Sequence, residues 1–239
     1  MAVVQPHLEN DQAGVLSRVD LLDCLSPEER RELWSLGAPR AVRAHERVVE
    51  QGEVGSEVFL VLCGRLRVLT SSPEDKHLAE AILGPGEVFG EIALLDDLPR
   101  TASVEAMDDS EVLSVPREEF LPFLQRHPRI ALDLLRVLAS KMRRLCRFVD
   151  DTQFLGLPVR LAKRLLELSS LYGIETDRGL LIELKLTQTE LGALVGATRE
   201  SVNKQLRDWE EKEIVETCDG HLLLHRLDEL EAVAHRAAG

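Results

Sequence analysis

The chain has 239 residues, 44% hydrophobic and 30% charged, with a formal net charge of −13. That size and balance suit two globular domains with real cores. They exclude a membrane helix, because no segment approaches the ~18 continuous apolar residues one needs.

The N-terminal MAVVQPHLENDQ has neither a basic region nor a long apolar run, so no signal peptide is expected. Cys24, Cys63, Cys146 and Cys218 are scattered without a C-x-x-C pair. That usage fits a reducing cytoplasm and small buried thiols. Residues 15–39 read as helix and turn, with Ser26 as N-cap and Pro27 at the first helical position. From Ala41 to Val115 short β-branched runs (47–50, 58–62, 66–69, 79–83 and 111–115) alternate with turns at Gly52, Gly55, Gly64, Gly84 and Gly86. This spacing predicts a β-sandwich or β-roll. Residues 71–76 read as a hairpin tip.

The run GEIALLDDLPRTA, Gly90 to Ala102, is the first stretch that carries chemistry. Ile92 to Leu95 reads as one helical turn, whose first N–H groups favour an anion. Arg100 can clamp phosphate oxygens in bidentate fashion. Glu91 repels phosphate and suits a sugar hydroxyl. The composite is a pocket for a phosphorylated sugar, and the alternative is a structural Glu91–Arg100 ion pair. The glycine pattern is not a dinucleotide fingerprint.

Pro128 opens a long helix to about Asp151, on which Leu135, Leu138, Met142, Leu145 and Val149 form an a/d seam. Such a seam predicts a homodimer; the alternative is a helix docked on its own β-roll. Gly156-Leu157-Pro158 breaks the pattern, and a new helix follows over 159–169. Leu180 to Leu186 alternates like a strand. Thr187 then caps a helix, with Glu190 at the capping-box position. Gly192 is small where two helices would cross, Gly196 suits a turn needing positive φ, and Thr198 caps the next helix. That is a helix-turn-helix. A hairpin turning at Asp219-Gly220 makes it winged.

The second of these helices begins Arg199-Glu200-Ser201-Val202-Asn203-Lys204. Arg199 can bridge guanine O6 and N7, Glu200 can accept from cytosine N4, and Lys204 can reach a guanine or a phosphate. Thr187, Gln188, Thr189 and Thr198 suit phosphate positioning. Residues 1–151 carry a net −9 and 152–239 a net −4, so a DNA site must rest on this motif, not on bulk charge. The alternative is a solvated Arg199–Glu200 pair on an ordinary helical hairpin.

The cassette, the long helix and the Thr-Arg-Glu-Ser-Val motif, in that order, resemble the bacterial cyclic AMP receptor protein / fumarate-nitrate regulator family over about residues 15 to 230. The resemblance implies an α+β chain with a β-roll effector domain (15–127), a dimerisation helix (128–151), a hinge (152–158) and a winged helix-turn-helix (159–239). It implies effector contacts at Gly90, Glu91, Ile92, Arg100, Thr101 and Ala102. It carries the family's base-reading residues onto Arg199 and Glu200, and its third reader, commonly arginine, onto Lys204. The family's central-helix arginine falls at Lys141. The two polar residues that contact the purine across the dimer in cyclic-AMP-binding members fall at Leu145 and Cys146. Leucine forms no hydrogen bond and a thiol only a weak one, which counts against cyclic AMP and leaves cyclic di-GMP, or no effector, open.

Only Cys24 lies where the family's iron–sulfur members carry their cysteine cluster, so no cluster is expected. His77 lies where haem-binding relatives place a ligand, and a lone surface histidine there is more often inert. No metal site is expected. Cys146 could sense redox, and a packed thiol is the simpler reading. The implied function is a cytoplasmic, homodimeric, sequence-specific transcription regulator acting on palindromic double-stranded DNA, with RNA polymerase as a further partner and no membrane contact. Two alternatives stand: an effector-independent regulator of the same fold, and a nucleotide-sensing regulatory subunit that does not act on DNA. There is no H-E-x-x-H, Walker lysine loop or G-x-S-x-G, so no enzyme is expected.

Overall fold

A computed structural model describes residues 26–71 and 77–235. Cys24, the expected helix before Ser26 and residues 72–76 of the expected hairpin tip lie outside them. The chain divides into two compact units, Met1–Lys141 and Met142–Gly239.

The first unit opens with α1 (Pro27–Leu36). Ser26 Oγ accepts from Glu29 N, and the Glu29 carboxylate accepts from Ser26 N in return, a reciprocal capping box. The strands β1 (Ala38–Val42), β2 (Arg47–Val49), β3 (Glu57–Cys63), β4 (Leu66–Ser71), β5 (His77–Leu83), β6 (Val88–Phe89), β7 (Ser103–Ala106) and β8 (Ser110–Pro116) follow, with α2 (Glu91–Asp96) after β6. They form two four-stranded antiparallel sheets, ordered β1-β8-β3-β6 and β2-β7-β4-β5.

β3 shows why the sequence chooses this roll. Its residues Val58 to Leu62 are all buried. Successive side chains point to opposite faces, so a continuous apolar run needs a cover on both. Phe59 and Val61 join one core with Val42, Val49, Phe89, Val104 and Val112. Val58, Leu60 and Leu62 join another with Leu33 of α1 and residues of two further helices, α3 (Arg117–Arg126) and α4 (Pro128–Phe154). Those helical residues are Phe120, Phe123, Ile130 and Leu134.

β1, β7 and α3 are not evident in the sequence pattern. Pro39 sits in β1, which is an edge strand where a missing N–H costs no ladder bond. Pro122 lies inside α3 and reads as a break. α4 runs to Phe154, three residues past the expected end, through the division between the two units.

The second unit adds α5 (Leu157–Tyr172), β9 (Gly173–Thr176), β10 (Gly179–Ile182), α6 (Gln188–Val195), α7 (Arg199–Glu211), β11 (Val215–Cys218), β12 (His221–Leu224) and α8 (Leu227–Ala234). Its sheet order is β11-β12-β10-β9, and α5 packs on α6, α7 and α8. The strand expected over 180–186 stops at Ile182. Beyond it Glu183 N turns to Tyr172 O, while Leu186 N reaches Gly220 O. The expectation of buried thiols is also corrected: Cys63, Cys146 and Cys218 are all exposed.

Candidate effector cassette and nucleic-acid interface

Gly90 caps α2 in the left-handed region, φ 78° and ψ 0°. A Cβ there would stand 2.5 Å from Arg100 Nη1, so glycine is required both for the backbone and for the approach of the guanidinium. Arg100 is 6% exposed. Its Nη1 donates to Gly90 O and its Nη2 to Glu57 O, both at 2.7 Å. Phe59 lies beneath it, 5.6 Å from Cζ to the ring centroid, a cation–π distance. Gly55 also packs close, with its Cβ position 3.0 Å from Arg100 Cζ. Arg100 Nε is buried without a partner among the described residues. Burial pushes the guanidinium pKa down, opposed by the charges of Glu53, Glu57 and Glu91.

Glu91 is 2% exposed, and its Oε1 lies 2.7 Å from Lys141 Nζ. The same ammonium donates to Val88 O at 2.8 Å. So Glu91 and Arg100 do not pair with each other: one meets a lysine of α4, the other two backbone carbonyls. Thr101 is exposed, Ala102 half-buried and Ile92 exposed. Cys146 falls in the second unit and the cassette in the first. Glu57 and Gly55 were missed by sequence reasoning, because a backbone carbonyl and a bare Cα leave no side-chain signature.

On α4, Leu135, Met142, Leu145 and Val149 are exposed and Leu138 is half-buried. Within the first unit, the docked face of this helix carries Ile130 and Leu134 instead. His77 opens β5. Among the described residues no group of three or more His, Cys, Asp or Glu is placed to hold a metal ion.

In the second unit, Thr187 Oγ1 accepts from Glu190 N and Glu190 Oε2 accepts from Thr187 N, the expected capping box. Gly196 ends α6 at φ 63°. The Cβ position of Gly192 lies 2.6 Å from Ala197 O and 3.4 Å from Arg199 N. It is small to admit both the turn and the first residue of α7. Thr198 Oγ1 accepts from Ser201 N and caps α7.

α7 buries Val202, Leu206 and Trp209, spaced to share one face. Arg199, Glu200, Ser201 and Lys204 are exposed. Neither Arg199, Glu200 nor Lys204 enters an ion pair among the described residues. Thr189 is exposed, while Gln188 Nε2 donates to Asn203 Oδ1 at 3.1 Å. Thr198, Arg199, Glu200 and Asn203 line a hollow of about 490 Å³. The β11–β12 hairpin turns at Asp219 and Gly220, both with positive φ, as a two-residue type I′ turn requires.

Sequence reasoning also missed how the turn of this motif meets the end of α4. A Cβ at Gly196 would stand 2.4 Å from Thr152 Cγ2. Arg160 Nη1 donates to Thr152 O, and Nη2 reaches Gly196 O at 3.4 Å. Lys163 pairs with Asp151 at 2.9 Å.

The family models for the cyclic nucleotide-binding domain and the Crp-like helix-turn-helix domain match residues 39–127 and 159–233. The CRP-like cAMP-activated global transcriptional regulator of Mycobacterium tuberculosis is 31% identical over 195 residues, 82% of this chain and 87% of that protein. The cyclic AMP receptor protein of Thermus thermophilus is 31% identical over 88% of this chain and 94% of its own length. The c-di-GMP responsive global regulator CLP of Xanthomonas campestris superposes with a TM-score of 0.76 at 19% identity, covering 84% of this chain and 99% of that one.

Proposed function

The chain belongs to the cyclic AMP receptor protein family of transcription regulators, with a cyclic nucleotide-binding domain and a helix-turn-helix domain, and from that premise we propose how its own residues divide the work. α7 is the recognition helix. Its exposed, unpaired Arg199, Glu200 and Lys204 enter the major groove, while Thr187, Gln188, Thr189 and Thr198 set its register on phosphates. This reading rests on one observation: a doubly fixed helix start, capped by Thr198 and closed by Gly196, presents three free charged side chains. The α4 seam, Leu135, Leu138, Met142, Leu145 and Val149, joins two copies. Two recognition helices then meet half-sites of a palindrome about 34 Å apart. The division of labour is a β-roll over 15–127, a dimerisation helix over 128–151, a hinge over 152–158 and a DNA-binding domain over 159–239.

The cassette is the effector site. The orphaned Nε of Arg100 is a buried donor without an acceptor, which fits an anion. Arg100 would hold a phosphate, and Glu91 a sugar hydroxyl, beside Gly90, Ile92, Thr101 and Ala102. When bound, a cyclic nucleotide would supply the acceptor that this Nε lacks among the described residues. Glu91 would exchange Lys141 for the ligand, and Lys141 lies on the helix that bears the seam. Coupling of this kind is typically ~1–3 kcal/mol. The names of the two relatives favour cyclic AMP. Leu145 and the exposed Cys146 offer a purine little hydrogen bonding, which favours cyclic di-GMP or another nucleotide.

A second reading is supported by the cassette itself. Arg100 already has two carbonyl partners and Glu91 an ammonium, so a regulator that needs no effector is consistent with the same geometry. The setting we infer is the cytoplasm, with RNA polymerase as a further partner and no catalytic role. Calorimetry of the full chain against cyclic AMP, cyclic GMP and cyclic di-GMP tests the effector. Binding heat that vanishes in Arg100→Leu, with operator affinity rising on saturation, supports the first reading. Equal operator affinity with and without every nucleotide supports the second.

A further inference from the structure

The hydrogen bond from Gln188 to Asn203 crosses the turn of the helix-turn-helix and joins two side chains 15 positions apart in sequence. Gln188 is the first residue of α6, held by the Thr187–Glu190 capping box. Asn203 lies one helical turn beyond Arg199 on α7, and both line the same hollow with Glu200. Residues four apart share a helix face. One turn advances about 5.4 Å along the axis, so side chains there can address neighbouring base pairs, which are stacked about 3.4 Å apart.

An asparagine amide is two-sided, with an oxygen that accepts and a nitrogen that carries two donors. Free to rotate, it lays both along adenine, donating to N7 and accepting from N6. Here Gln188 Nε2 holds Oδ1 from the α6 side at 3.1 Å. That bond occupies one of the two lone pairs of Oδ1 and fixes the plane of the amide. Its Nδ2 remains as a donor.

We propose that Asn203 is a specificity-determining residue that favours a base edge bearing acceptors alone, guanine O6 and N7 or thymine O4, over adenine, whose N6 donor calls on the oxygen that Gln188 already holds. Gln188 is its positioning residue. This inference rests on α7 being the recognition helix. It assigns Gln188 a role beyond phosphate contact: it fixes which face of the asparagine amide the DNA meets.

The test uses the full-length chain. An operator is first selected from a randomised palindromic pool. Affinities for every single-base variant of one half-site are then measured at fixed salt, for the wild type and for Arg199→Ala, Asn203→Ala, Asn203→Asp and Gln188→Ala. Asn203→Ala is expected to flatten an about five- to tenfold preference at one base pair and leave preferences elsewhere unchanged. Gln188→Ala frees the amide and shifts that same base pair toward adenine. Asn203→Asp exchanges donors for acceptors and shifts it toward cytosine, whose N4 donates. If Asn203→Ala retains discrimination at every position while Arg199→Ala loses it at one, the assignment of Asn203 is overturned and the recognition helix stands. If Gln188→Ala weakens all sequences equally, Gln188 is a phosphate or structural contact and its positioning role is overturned. If Arg199→Ala itself changes nothing, the recognition-helix reading fails.

Discussion

Lys141 Nζ sits 2.7 Å from Glu91 Oε1 and 2.8 Å from Val88 O, so an ammonium ties the long helix to the cassette. Glu91 is almost wholly buried. A buried carboxylate keeps its charge cheaply only while a cation faces it.

Lys141→Met therefore leaves an unpaired buried charge and is expected to destabilise the first unit by about 2 kcal/mol. That is below the full penalty for a buried pair, since the lysine is partly solvated. Glu91→Gln in the same chain should restore most of the loss. Urea unfolding of the single and double variants measures both. A Lys141→Met protein as stable as the wild type would show that the pair does not hold the helix.

Arg199→Ala should cost about 1–3 kcal/mol in specific DNA binding and relax selectivity at one base pair. Competition binding at fixed salt gives the value, and an unchanged affinity refutes the proposed groove contact.

Leu145→Glu places a carboxylate in the proposed seam, where a second copy would bring an identical charge beside it. The variant is expected to shift a dimer to monomer in sedimentation at micromolar concentration, while circular dichroism retains its helix content. A wild type that sediments as a monomer would refute the seam.

Acid should loosen α1. Hydrogen bonds from Arg126 and His127 hold the Glu32 carboxyl below its usual range, and those from Ser26 and His127 do the same for Glu29. A pKa depressed in the folded state contributes stability above the ordinary carboxylate range, and that contribution is lost as pH falls through the folded value. Glu32→Gln removes this contribution, so its stability should vary less between pH 5 and pH 3, as read from denaturation midpoints across about that interval. An unchanged acid limb would contradict the assignment.

Much of this architecture is local enough to read in the sequence. Ser26, Thr187 and Thr198 announce helix starts because a hydroxyl three residues before an N–H is a one-dimensional signal. Gly196 and Asp219-Gly220 announce turns because positive φ restricts residue choice. The fate of Arg100 could not be read in this way. Its partners are the carbonyls of Glu57, 43 positions away, and Gly90, and every residue has a carbonyl. The Lys141–Glu91 pair was equally hidden: it joins residues 50 positions apart in sequence. Gly192 was legible as small, while the carbonyl of Ala197 that crowds it most closely was not.

The close fit of Gly196 against Thr152, with Arg160 donating to both carbonyls, braces the turn of the helix-turn-helix on the last turn of α4. A flexible tether would let each reading head search for its own half-site. On the proposed reading, a braced one works as a ruler, and the operator spacing it tolerates is set by helical pitch more than by linker length.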